Sequence, residues 1–92
     1  MTDEELRAIA ARCERATPGP WTSMIEGRDH PSGSSFIMTG APGSCGEDIE
    51  LSGASPDDQD FIAHARQDVP RLMEEVRRLR TLLGNAGSTH DR

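Results

Sequence analysis

DDQDFIAHARQDVPRLMEEVRRLRTLL, residues 57–83, is the stretch on which the fold turns. Its apolar residues Ile62, Ala65, Val69, Leu72, Val76, Leu79 and Leu83 are spaced alternately three and four apart. That is the a/d pattern of a heptad, with a mean period of 3.5. Such a seam wants a partner, either the rest of a small chain or a second copy of it. Ser55 as N-cap, Pro56 at the first helical position and Asp57 and Asp58 in the first turn mark a helix start. Pro70 removes one helical hydrogen bond, and Val69 before it is disfavoured in the α region. The reading therefore expects two helical pieces, about 56–66 and 68–83, jointed at Asp68-Val69-Pro70 with Asp68 capping the second. The heptad phase crosses Pro70, so a kinked near-continuous helix is the alternative. Gly84 to Gly87 should close the helix and residues 88–92 should fray.

Upstream, Thr2-Asp3-Glu4-Glu5 is a capping box. Leu6, Ile9, Ala10 and Cys13 follow at i, i+3, i+4, i+7, which predicts a helix over residues 3–15 with one apolar stripe. Cys13 lies on that stripe and reads as a small buried hydrophobe. Thr17-Pro18-Gly19-Pro20 stops the helix, and Trp21 is expected to anchor a first strand over residues 21–26. Trp21, Ser23 and Ile25 share one face of it. After the turn-rich residues 27–34, residues 35–39 read as a second strand. The alternating run 47–51 reads as a half-buried third edge strand, the least well marked of the three. The expected fold is α+β: an N-terminal helix, a small two- or three-stranded antiparallel sheet and a C-terminal pair of helices. One domain covers residues 1–87, with residues 88–92 as tail.

Composition narrows the function classes. Ninety-two residues with one Trp, two Phe and no Tyr make a thin, mostly aliphatic core, and chains of this kind often gain stability by associating. A net charge of −6 argues against nucleic acid and anionic membrane as partners. The first sixteen residues carry no apolar signal core, and no apolar run is long enough to cross a bilayer. Cys13 and Cys45 lie far apart and read as free thiols, so a cytoplasmic location is expected.

Two blocks, ATPGPW at residues 16–21 and DFIAHARQDVPRLMEEVRRLR at residues 60–80, resemble a small-protein family common in phages and prophages. Ead-like phage accessory proteins share the layout: a helix ending in ATPGPW, a variable β segment and a FIAxARxDVPxLLxEVxRLR helix. Met73 stands where leucine is more usual, a volume-conserving change. The resemblance implies a phage-linked setting and a repeated architecture; it implies no reaction and no catalytic residues.

Candidate chemistry is sparse. No nucleophile–base pair or metal motif is visible, so neither enzyme, cofactor nor metal is expected. GAPGSCG at residues 40–46 has the glycines of an anion nest, but acids follow it and a flexible connection is the plainer account. His30, His64 and Cys45 lack ligand spacing. Asp57, Asp58 and Asp60 are explained by helix capping. Trp21 with Arg66, Arg71, Arg77, Arg78 and Arg80 forms the one candidate set for an anionic ligand. Glu74 and Glu75 can pair with Arg78, which favours a solvated, internally paired face. The first expectation is thus a non-enzymatic phage or prophage accessory protein, forming a homodimer or higher oligomer and binding a host protein. Ile62, Val69, Leu72, Val76, Leu79 and Leu83 would make its interface. The alternative is a sponge for a small anionic ligand such as a nucleotide signal.

Overall fold

The computed structural model of the chain describes residues 1–31, 33–40 and 47–87. Residues 41–46, Cys45 and most of the GAPGSCG segment among them, and the expected tail at 88–92 lie outside the described residues. Four elements follow in order: α1 (Asp3–Arg15), β1 (Trp21–Met24), β2 (Phe36–Thr39) and α2 (Pro56–Gly87). The architecture is α+β, built on one long C-terminal helix.

α1 starts as its sequence dictates. Thr2 Oγ1 accepts from the Glu5 amide at 3.0 Å, and the Glu5 carboxylate accepts from the Thr2 amide at 2.7 Å. β1 and β2 pair antiparallel with Trp21 opposite Thr39 and Ser23 opposite Ile37. The expected third strand contracts to a single bridge. Ile37 and Ile49 exchange two backbone bonds of 2.8 Å, and the charged neighbours Asp48 and Glu50 stay exposed without extending the ladder.

The pair of C-terminal helices is corrected: α2 is one helix of 32 residues that carries Pro70 inside it. It reaches Gly87 instead of stopping near residue 83. An interior proline costs a helix about 3 kcal/mol, so something must keep the chain helical on both sides of it. The sheet grips residues before Pro70 and α1 grips residues after it, on the same side of the helix. Leu72, Met73, Glu74 and Glu75 beyond it are strong helix formers. Tertiary packing overrides the local breaker.

The buried apolar set is small, as composition requires: Leu6, Ile25, Ile37, Ala63 and Met73. Ile37 is fully enclosed between the sheet and α2. Trp21 is only half-buried, so the anchoring of the sheet falls to Ile37 and Ile25 instead. At 61 × 25 × 19 Å the molecule is drawn out along α2.

Candidate interaction surface

The face of α2 that holds its own domain is not the heptad seam. Gln59 and Ala63 are buried against the sheet, and Met73 is buried against α1. Arg66, Pro70, Arg77 and Arg80 continue the same line, and all of these fall at heptad positions e and b. That line sits about 100° around the helix from a/d, given 3.6 residues per turn.

Two buried or half-buried glutamines fasten this face. The Gln59 side-chain amide donates to the Phe36 carbonyl at 2.9 Å and to Ser23 Oγ at 3.0 Å, tying both strands to the helix. Eight residues on, the Gln67 amide oxygen accepts from the Trp21 N–H at 2.8 Å, and its NH₂ donates to the Trp21 carbonyl at 3.2 Å. Gln67 thus pairs with the strand start as a neighbouring strand would. The Thr17 carbonyl accepts from Arg66 Nε at 2.8 Å and from the Trp21 indole at 3.1 Å. The segment at residues 16–21 and the middle of α2 therefore meet in space.

Gly19 makes that approach fit. A Cβ there would stand 3.3 Å from both Arg66 Cγ and Gln67 Oε1. Gly19→Val is expected to force the Arg66 or Gln67 side chain aside at this exposed site and to lower unfolding free energy by about 1 kcal/mol. Urea titration of this variant showing wild-type stability would contradict the close packing.

A fork closes the other end. Arg28 reaches both oxygens of Asp60, at 2.9 and 3.0 Å, and also holds Asp29. Asp60 therefore does more than cap the helix. The Arg28 bonds, with help from Ser23, hold its carboxyl down from 3.8 to about 2. A carboxyl depressed on folding adds stability only while ionised, so this contribution is complete above about pH 4 and is lost as pH falls to about 2. Thermal unfolding should show that acid limb, and Asp60→Asn should flatten it. An identical limb in the variant would remove the fork from the account.

The seam itself stays open. Leu72 is 63% exposed, Leu79 45% and Leu83 72%, with Ile62 at 38%; Ala65, Val69 and Val76 are half-buried. Phe61 and Leu82, both at g positions, widen the stripe at 74% and 50% exposure. At its N-terminal end the stripe borders a shallow recess of about 370 Å³ walled by Leu51, Ala54, Phe61 and Ile62 together with Ser52, Gly53 and Asp58. At the other end Leu82 and Leu83 lie beyond Arg80, the last α2 residue tied to the N-terminus through Met1 and Asp3.

The arginines do not converge on one point. Arg66 is engaged with Thr17, Arg80 with Asp3 and Met1, and Arg78 with Glu75 at 2.6 Å. Arg71 and Arg77 flank a cleft of about 280 Å³ between α1 and α2, into which Cys13 and Pro70 also face. The Trp21 indole, bonded to Thr17, belongs to the joint at residues 16–21. His64 turns its Nδ1 to the Asp60 carbonyl of its own helix at 2.8 Å, and His30 lies against Phe36 with ring centres 5.2 Å apart. Sequence reading missed Gln59, Gln67 and Arg28. A polar residue eight positions from another in a helix, on the line of Ala63 and Met73, was the one signal available. No described helix is long and apolar enough to cross a membrane. No protein-family model, curated protein or solved structure matches the chain.

Proposed function

We propose that the chain is a non-enzymatic accessory protein of a phage or prophage setting, working through protein–protein contact and first through self-association along the α2 seam. One observation carries this reading: a 3.5-residue apolar repeat runs over residues 62–83 of α2 with Ile62, Leu72, Leu79 and Leu83 exposed and Ala65, Val69 and Val76 only half-buried by its own fold. Keeping large apolar side chains in water brings a monomer nothing, and contiguous stripes of this kind mark interaction sites. The thin core points the same way, since a partner adds the burial that a 92-residue chain lacks. A host protein presenting an apolar helix is the alternative occupant of the same seam.

Association stabilises the folded state by mass action. The unfolding temperature should therefore rise by several degrees across about a hundredfold increase in protein concentration. A temperature independent of concentration up to the high micromolar range counts against self-association.

The second reading, a binder of a small anion, draws on Arg71 and Arg77, which take no ion-pair partner among the described residues and flank the α1–α2 cleft. A thermal-shift panel of cyclic and linear nucleotides tests it. No stabilisation by any member retires it.

A further inference from the structure

We infer that the two copies pair antiparallel, the C-terminal leucines of each seating in the N-terminal recess of the other; this rests on the self-association proposed above. The exposed large apolar side chains of α2 are not spread evenly. Phe61 and Ile62 stand at one end, Leu79, Leu82 and Leu83 at the other, with Leu72 between them. The first end is shallowly recessed, with Leu51, Ala54 and Asp58 beside Phe61 and Ile62 around the opening. The second is exposed, with Leu82 and Leu83 beyond Arg80, whose hydrogen bond to Asp3 is the furthest along α2 that reaches α1 among the described residues. A surface with a recess at one end and exposed leucines at the other is self-complementary under a two-fold axis across the helix, the isologous arrangement of most homodimers.

The heptad register agrees. Turning a second α2 end for end and pairing a with d positions sets Ile62 against Leu79 of the second copy, Val69 against Leu72, and Ala65 against Val76. The same register brings Phe61 beside Leu82 of the second copy, so the two exposed apolar g residues cover one another. A parallel pair would instead line up like with like, leaving both recesses at one end and both leucine ends at the other. It would also set Phe61 beside the e residue Arg66, which is already bonded to Thr17.

Exposed apolar area supplies the core of a specific contact. At about 1.5–3 kcal/mol per fully buried apolar side chain and about 25 cal/mol per Å², each is worth roughly 60–120 Å², so the six partly exposed ones offer on the order of 300 Å² per copy. The recess walls, the half-buried Val69 and Val76 and a polar rim would have to supply the rest of the ~800 Å² per partner of a standard interface. Two features oppose the register: Asp68 falls beside Glu75 of the second copy, and Asp58, on the recess wall, falls opposite its Leu83. Glu75 already holds Arg78 at 2.6 Å, and Arg71 lies one turn from Asp68 and Glu75 on the same helix. Residual repulsion predicts a dimer that tightens as salt rises.

The test uses the full chain with Cys13→Ala and Cys45→Ser as background, carrying either Ile62→Cys or Leu79→Cys, under mild oxidation. Antiparallel pairing brings these two positions together across the axis, within reach of disulfide geometry. The mixed sample is expected to give a covalent heterodimer, with each variant alone at least about tenfold less cross-linked, since like positions then lie too far apart to bridge. Ready cross-linking of each variant with itself would show a parallel pair and overturn the orientation, leaving self-association intact. Dimers in solution without cross-linking in the mixture would overturn the register. An unmodified chain that sediments as a monomer would remove the self-association reading and this inference together.

Discussion

Gln59→Leu should unfold at markedly lower urea than the wild type, with a loss of about 2–5 kcal/mol. The side chain is 3% exposed, and its amide serves the Phe36 carbonyl and Ser23 Oγ at once. Leucine fills a similar space but donates nothing, so two groups beneath α2 lose their partner. Each buried orphan costs about 1–3 kcal/mol, against a total stability of about 5–15 kcal/mol for a small domain. Gln67→Leu is the control. It breaks two bonds to the Trp21 backbone, but that site is half-buried, water can replace the lost partner, and about 1 kcal/mol is expected. Equal losses in the two variants would mean that Gln59 is not the point that fastens α2 to the sheet.

Leu79→Asp should separate the functions of the two helix faces. On the seam it places a charge where Leu79 would be covered, and a symmetric dimer counts the change twice. A full leucine burial is worth about 1.5–3 kcal/mol, and Leu79 is 45% exposed, so two copies lose about 1.4–2.7 kcal/mol before the cost of the buried charge, roughly ten- to a hundredfold in Kd. The isolated fold should hardly notice, because Leu79 makes no part of the buried core and exposed substitutions usually stay within about 0.5 kcal/mol. Circular dichroism and urea unfolding at low micromolar concentration check the second half. A variant that unfolds under dilute conditions would show that Leu79 serves the monomer.

Local signals in the sequence carried the elements well. The Thr2–Glu5 box, the Ser55-Pro56 start and the β-prone Phe36 and Ile37 led to α1, the start of α2 and β2 within a residue or two. The break at Asp68-Val69-Pro70 did not follow and the near-continuous alternative did, because proline's local cost is visible in the sequence while the sheet and α1 that keep α2 helical on both sides of it are not. The third strand shrank to the Ile37–Ile49 bridge for a related reason: alternation marks a strand's faces without saying whether an edge partner pairs along its length. The face that organises the domain was the hardest to read. Its residues are Gln59, Ala63, Gln67, Pro70 and Met73 with arginines beside them, a line too polar and too small to register as hydrophobic periodicity. The pattern that does register, the a/d seam, is the one the monomer leaves open. Of the arginine set, Arg66 and Arg80 were legible as cations but not as the clasps on Thr17 and on the N-terminus that they form.

Sedimentation equilibrium of the wild-type chain beside Leu79→Asp, from low to high micromolar concentration, addresses the seam most directly. The wild type should approach twice the 10.0 kDa chain mass as concentration rises, while the variant stays at the chain mass throughout. A wild-type chain that remains at the chain mass over the whole range would contradict self-association, as would a variant that associates as tightly as the wild type.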